Sequence, residues 1–371
     1  MIYYFILISL AGLAFIDFIQ SDKYEDGTKA YKYKPYLYWV VIAGLIIFAG
    51  CRYYTGHDYY SYVEVFNRIS LGIKVTNMEW GYQQLNYILG FISDNSWIVF
   101  FVVSLLTLVI KGIAIQKESK YIFFSLFICF CLYYLIGDMG QIRSTLAQSL
   151  DLAAIVLFIK GRKEFNVASL ILILLGSLFH ISSLCVLVIF IVGARKYKVR
   201  TFIITYIVLT ILGQFLNMAI LGEIGKHVGG FIGDKLYEYT LGKTFAQKVG
   251  LSFNVIFDFF MLIFILYMRE KYDLASRKFN ILFNTYFISI CSYVLLNNYF
   301  VFAVRFANYF RLSLILLVPM LVSKINNKKI RMFVLMIFIG IFAMMVVRIL
   351  MVNAVFYIPY RINLFGNIIG G

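Results

Sequence analysis

Residues 332–350 read MFVLMIFIGIFAMMVVRIL, an unbroken apolar run except for one charge, Arg348. A helix rises about 1.5 Å per residue, so such a run crosses most of a hydrocarbon core roughly 30 Å thick. Similar runs occupy 2–19, 36–50, 96–115, 121–136, 141–159, 165–179, 181–194, 201–221, 250–268, 279–296 and 306–322. The whole chain is 62% hydrophobic and 14% charged, where a soluble domain has about 25% charged residues. These features predict an all-α fold: a polytopic integral membrane protein with about 11–12 transmembrane helices, forming a single integral membrane domain over residues 1–371. The first run has no basic segment before it and no small-residue cleavage site, so it reads as a retained helix.

The net charge of +16 would suggest nucleic acid in a soluble protein. In a membrane protein it reads as topological anchoring, and no nucleic-acid partner is expected. Six basic clusters hold 22 of the 34 Lys and Arg and are expected on the cytoplasmic side. They are Lys23, Lys29, Lys32, Lys34; Lys111, Lys117, Lys120; Lys160, Arg162, Lys163; Arg195, Lys196, Lys198, Arg200; Arg269, Lys271, Arg277, Lys278; and Lys324, Lys328, Lys329, Arg331. Residues 165–194 join two of these clusters. Alternation of sides then requires a hairpin of two short arms with its tip near His180, which puts both termini outside; a single span would invert everything before it. Two long loops, 51–95 and 222–249 (the second including Lys226, His227 and Lys243), fall outside. Tyr62, Phe66 and Ile69 recur at helical spacing and would let the first loop lie on the membrane surface. The five cysteines form no metal or disulfide pattern.

Charges inside apolar spans are expensive and mark sites or pathways. Arg52, Arg143, Arg305, Arg311 and Arg348 stand inside or at the rim of such spans. Around them lie Arg52-Tyr-Tyr-Thr-Gly56-His-Asp58 with Tyr62 and Phe66 following; Glu79-Trp80-Gly81-Tyr82; Gly137-Asp138 with Arg143 opening the next run; Phe179-His180-Ile181-Ser182; Arg305 with Asn308-Tyr309-Phe310-Arg311; and Tyr360-Arg361. The chain has no phosphate-binding GxxxxGK[ST] loop, no HExxH and no DxD pair, which argues against an ATP-driven transporter and a metal-bound nucleotide-sugar donor.

In this order the pieces resemble the EpsG and Wzy group of bacterial polysaccharide polymerases (O-antigen, capsule or exopolysaccharide), over roughly residues 40–365. Trp80 stands where that group often has proline. The resemblance implies a multi-pass protein of the bacterial cytoplasmic membrane that transfers a growing glycan from an undecaprenyl-diphosphate carrier to a lipid-linked repeat unit at the outer face. Its partners would be the undecaprenyl-diphosphate-linked oligosaccharide, the lipid bilayer, and chain-length regulator and flippase proteins. No cofactor and no metal are expected.

For that chemistry, guanidinium groups suit the diphosphate, because they bind its oxygens bidentately and stabilise charge on the leaving group. Arg52, Arg143, Arg305 and Arg311 are the candidates, with pairing to Asp58, Asp138 or Asp151 as the structural reading. His180, with a reference pKa of about 6.5, is the first candidate base for the acceptor hydroxyl, and Asp58 and Glu79 are its rivals. Tyr62, Tyr82, Asp138, Asn308 and Tyr309 are candidates for sugar contact; Asp138 also suits a role orienting Arg143. A flippase for the same lipid-linked sugar, an O-antigen ligase or membrane acyltransferase, and a scaffold of a synthesis complex are the alternatives.

Overall fold

The computed structural model describes residues 1–23, 34–76, 78–217, 219–241, 248–364 and 367–369. Lys29, Lys32 and Lys243 lie outside these residues. The chain runs α1 (Ile2–Lys23), α2 (Lys34–Gly50), β1 (Arg52–Tyr53), α3 (Tyr59–Ser70), α4 (Trp80–Gly90), α5 (Trp97–Glu118) and α6 (Ile122–Cys129), which widens into π-helical turns over Phe130–Asp138. It continues with α7 (Ile142–Lys160), α8 (Lys163–Ser177), a 3-10 segment (Ile181–Val188), α9 (Ile189–Val192), α10 (Val199–Phe215), α11 (Ala219–Val228) and α12 (Gly230–Thr240). The remainder is α13 (Phe253–Lys271), α14 (Arg277–Leu295), α15 (Phe300–Arg311), α16 (Leu314–Ser323), α17 (Lys328–Val352), α18 (Ala354–Tyr357), β2 (Arg361–Leu364) and β3 (Asn367–Ile369).

The protein is an all-α polytopic membrane protein. Among the described residues, four helices are long and apolar enough to cross a membrane: Ile2–Ser21, Trp97–Glu118, Ile142–Lys160 and Lys328–Val352. The pair α15 and α16, bent by 49° at its break, makes a fifth if it is counted as one span. Other apolar runs form shorter helices, such as Lys34–Gly50 and Val199–Phe215. Residues 165–194 form the short helix α8, then the 3-10 segment and α9, with a break at 178–180.

Within the stretch read as one domain, the chain forms two compact units: Met1–Ile181 with Ile315–Gly371, and Ser182–Leu314. In the first unit α7 packs against α5, α8 and the π-helical turns. Loop 51–95 folds into the pair α3 and α4, whose apolar faces close over α5 and α7 in one cluster. It contains Tyr59, Tyr62, Phe66, Tyr82, Leu89, Val99, Phe100, Ile142 and Leu146. The spacing of Tyr62 and Phe66 thus marks an inward face, because burial against α5 removes these rings from water and from the membrane surface alike. A small antiparallel sheet, absent from the sequence reading, ties the C-terminal segment to β1: Arg52 pairs with Ile362 and Tyr53 with Arg361, and β3 extends the sheet from β2.

Two lysines of the basic clusters are buried with acids. Lys111 Nζ lies 2.8 Å from Asp138 Oδ1, and Lys34 Nζ lies 2.5 Å from Asp17 Oδ1. A lone charge in an apolar interior is far more expensive than a paired one, and Lys34 Nζ also donates to the carbonyl of Lys120, from the next basic cluster, at 3.3 Å. In the second unit α14 is packed by α10, α13 and α15. Its Asn284 donates through Nδ2 to the carbonyls of Gly193 and Arg195 at 2.9 and 2.8 Å, satisfying backbone that α9 leaves open at its end.

Candidate active site

The π-helical turns end at Asp138, and a turn through Gly140 starts α7 with Arg143 in its first turn. The loop from β1 meets this turn at Gly56. Its backbone lies at φ +107°, and a Cβ there would collide with the Met139 carbonyl; only glycine meets both demands without strain. Gly56 N also donates to Phe356 O at 2.8 Å, and Asn363 N donates to Cys51 O at 2.7 Å. The segments carrying Arg52, Asp58 and Arg143 and the C-terminal strand therefore meet in one place in the first unit.

Arg143 is the focus of this place. Its Nη1 donates to Glu79 Oε2, and its guanidinium lies 5.9 Å from the Tyr62 ring centre and 5.8 Å from that of Tyr82. The side chains of Arg143 and Glu79 remain 16% and 9% exposed, so the pair is not fully sealed in the interior. Burial raises the Tyr62 and Tyr82 hydroxyls above their ordinary value, so both rings are neutral walls for the cation. Arg143 Nε is buried and has no hydrogen-bond partner among the described residues.

Glu79 sits at the N-cap of α4, but its side chain makes no capping bond. The amide it would cap, Gly81 N, donates instead to Leu178 O at 2.9 Å. Gly81 permits this approach: a Cβ would lie 2.8 Å from that oxygen. Leu178 belongs to the break that carries Phe179 and His180, and Phe179 packs on the cluster of Tyr62 and Tyr82. His180 is half-buried, and Asp58 is half-buried at the start of α3. The three candidate bases thus stand on segments that surround Arg143.

Other candidates have different surroundings. Arg52 is fully buried; its Nε donates to Thr55 O at 3.0 Å, its Nη1 donates to Ala49 O, and its guanidinium lies 4.6 Å from the Phe100 ring centre. Burial lowers this guanidinium below its ordinary value, against the raising effect of the nearby Tyr59 and Tyr134 hydroxyls. Arg52 braces the end of α2 and the following loop through these two carbonyls, while its Nη2 has no hydrogen-bond partner among the described residues. Arg311 pairs with Asp258 at 2.5 Å, whose other oxygen accepts from Tyr286 at 2.6 Å; the acid already neutralises it. Asp138 is neither a partner of Arg143 nor open to a sugar, since it is spent on Lys111. Tyr62, Tyr82 and Tyr309 are 3%, 0% and 1% exposed, so none of their faces is open for stacking on a sugar ring. In the second unit Arg305 is half-buried 4.6 Å from the Tyr239 ring centre, and Asn308 is half-buried on the same helix. Arg348 is exposed on α17.

The sequence reading missed three partners: Glu79 for Arg143, Lys111 for Asp138 and Asp258 for Arg311. Lys111 and Asp258 each interrupt an apolar run, and that signal alone marks residues requiring a partner. No signal paired Glu79 with Arg143, which are 64 residues apart.

No curated protein and no solved structure matches the chain. The sequence profile of the EpsG family matches residues 35–362, a range that holds the Arg52 loop, the Glu79–Arg143 pair, His180 and Arg305. By that match the chain belongs to the EpsG family.

Proposed function

We propose that this protein is a polysaccharide polymerase that transfers a growing glycan from an undecaprenyl-diphosphate carrier to a lipid-linked repeat unit at the outer face of the bacterial cytoplasmic membrane. The EpsG family is associated with polysaccharide polymerase activity, a glycosyl transfer. The observation that carries the finer reading is Arg143: a guanidinium beside two aromatic rings, partly exposed and paired with a carboxylate that an anionic ligand can replace. Such a group binds the carrier's diphosphate and stabilises the charge that gathers on it as the glycosidic bond breaks. Arg305, in the other unit, is a separate anion-binding candidate. His180, on the turn that caps α4 through Leu178, orients the acceptor hydroxyl. The transfer needs no ATP, since the diphosphate is itself the leaving group.

The test is a deletion of the gene in a cell that makes the polymer. A polymerase leaves single repeat units exported and unextended, seen by mass spectrometry of carrier-linked glycans and by gel of the surface glycan. Repeat units confined to the cytoplasmic side would assign the chain to the flippase reading.

A further inference from the structure

The Glu79–Arg143 pair has an unusual construction. A glutamate at an N-cap ordinarily has nearby helix amides to bond. Here the Leu178 carbonyl takes the Gly81 amide, and the Glu79 carboxylate is left to turn to Arg143. Nothing in the capping of α4 therefore requires the carboxylate. Both partners keep some exposure, unlike the Lys111–Asp138 pair, whose side chains are 1% and 0% exposed. A diphosphate carries more charge than a carboxylate and offers several oxygens to the same fork, so it competes for Arg143 on favourable terms.

We propose that Glu79 is the base of the transfer and that Arg143 holds it idle until the donor's diphosphate takes the guanidinium over. The inference rests on the polymerase reading above. While it is paired with Arg143 the carboxylate spends an oxygen on the guanidinium; once that counterion turns to the diphosphate, the oxygen is released to accept from the acceptor hydroxyl. The acceptor hydroxyl oxygen then forms its bond to the anomeric carbon of the donor sugar. The bond from that carbon to the diphosphate oxygen breaks, and the oxygen keeps the electron pair. The hydroxyl proton passes to Glu79 and leaves to water before the carboxylate returns to Arg143. Donor binding thereby switches on acceptor activation.

The experiment measures binding of undecaprenyl diphosphate to the full-length protein in nanodiscs, beside polymer formation in cells, for the wild type, Glu79→Gln, Glu79→Asp and Arg143→Gln. Glu79→Gln removes the competing carboxylate, so it binds the diphosphate about tenfold more tightly or better while making no polymer. Glu79→Asp, which keeps a carboxylate on a shorter stem, restores part of the polymer and so excludes a folding defect. Unchanged affinity in Glu79→Gln overturns the exchange, and normal polymer in that variant overturns the role of base. If the wild type and Arg143→Gln bind the diphosphate equally, or neither binds it, the reading of Arg143 itself fails, a result distinct from either.

Discussion

Lys111 Nζ sits 2.8 and 2.9 Å from the two oxygens of Asp138, and both side chains are buried. This pair joins α5 to the last π-helical turn, four residues before α7 starts. Removing one partner of a buried pair leaves an uncompensated charge, which costs about 3–5 kcal/mol. Lys111→Met and Asp138→Asn should therefore each lower the melting temperature of the purified protein strongly. The double variant Lys111→Met with Asp138→Leu should recover much of the loss, because it leaves no charge behind. Additive losses in the double variant would show that the two residues do not act as a pair.

Arg143 and Arg305 should not tolerate lysine. A lysine supplies a compact point charge without the planar fork that matches phosphate oxygens. Arg143→Lys and Arg305→Lys are expected to keep normal protein levels in the membrane and to lose most of the polymer. Normal chain length in either variant would reduce that arginine to a structural cation.

His180 separates orientation from base catalysis. If Glu79 takes the proton, His180→Ala cells display single repeat units without long chains, and His180→Gln, which still offers a hydrogen bond, keeps part of the elongation. A gel of the surface glycan reads both. Loss as complete in His180→Gln as in His180→Ala would return the role of base to the imidazole, and an unchanged ladder in both would make His180 a packing residue.

The charge clusters predict the sidedness of the membrane helices. With the native cysteines replaced, a cysteine at Ser70 or Lys226 should react with an impermeant reagent applied outside, and one at Lys117 should be protected. All three positions are exposed. Protection of the first two with labelling of the third would invert the arrangement and remove the site from the outer face.

Sequence alone determined the fold class, because hydrocarbon thickness translates directly into run length, and the runs at 2–19, 96–115, 141–159 and 332–350 became four helices long enough to span. It also pointed to the residues of interest, since Arg143, Glu79 and His180 stand out in or beside apolar runs. What each residue touches was decided by tertiary structure. Charge counting grouped Lys111 with Lys117 and Lys120, and only the folded chain shows that it is buried as an ion pair with an acid 27 residues further on. Tyr62 and Tyr82 read equally well as sugar platforms or surface anchors, and packing over α5 made them the walls around Arg143. Arg52 and Arg143 look alike in sequence, but one is fully buried on the carbonyls of Ala49 and Thr55 and the other, partly exposed, pairs with a carboxylate. Periodicity and composition are local properties of the chain and can be read along it. Pairing is a property of distance in space, and partners such as Glu79 and Arg143 are brought together only when the whole unit folds.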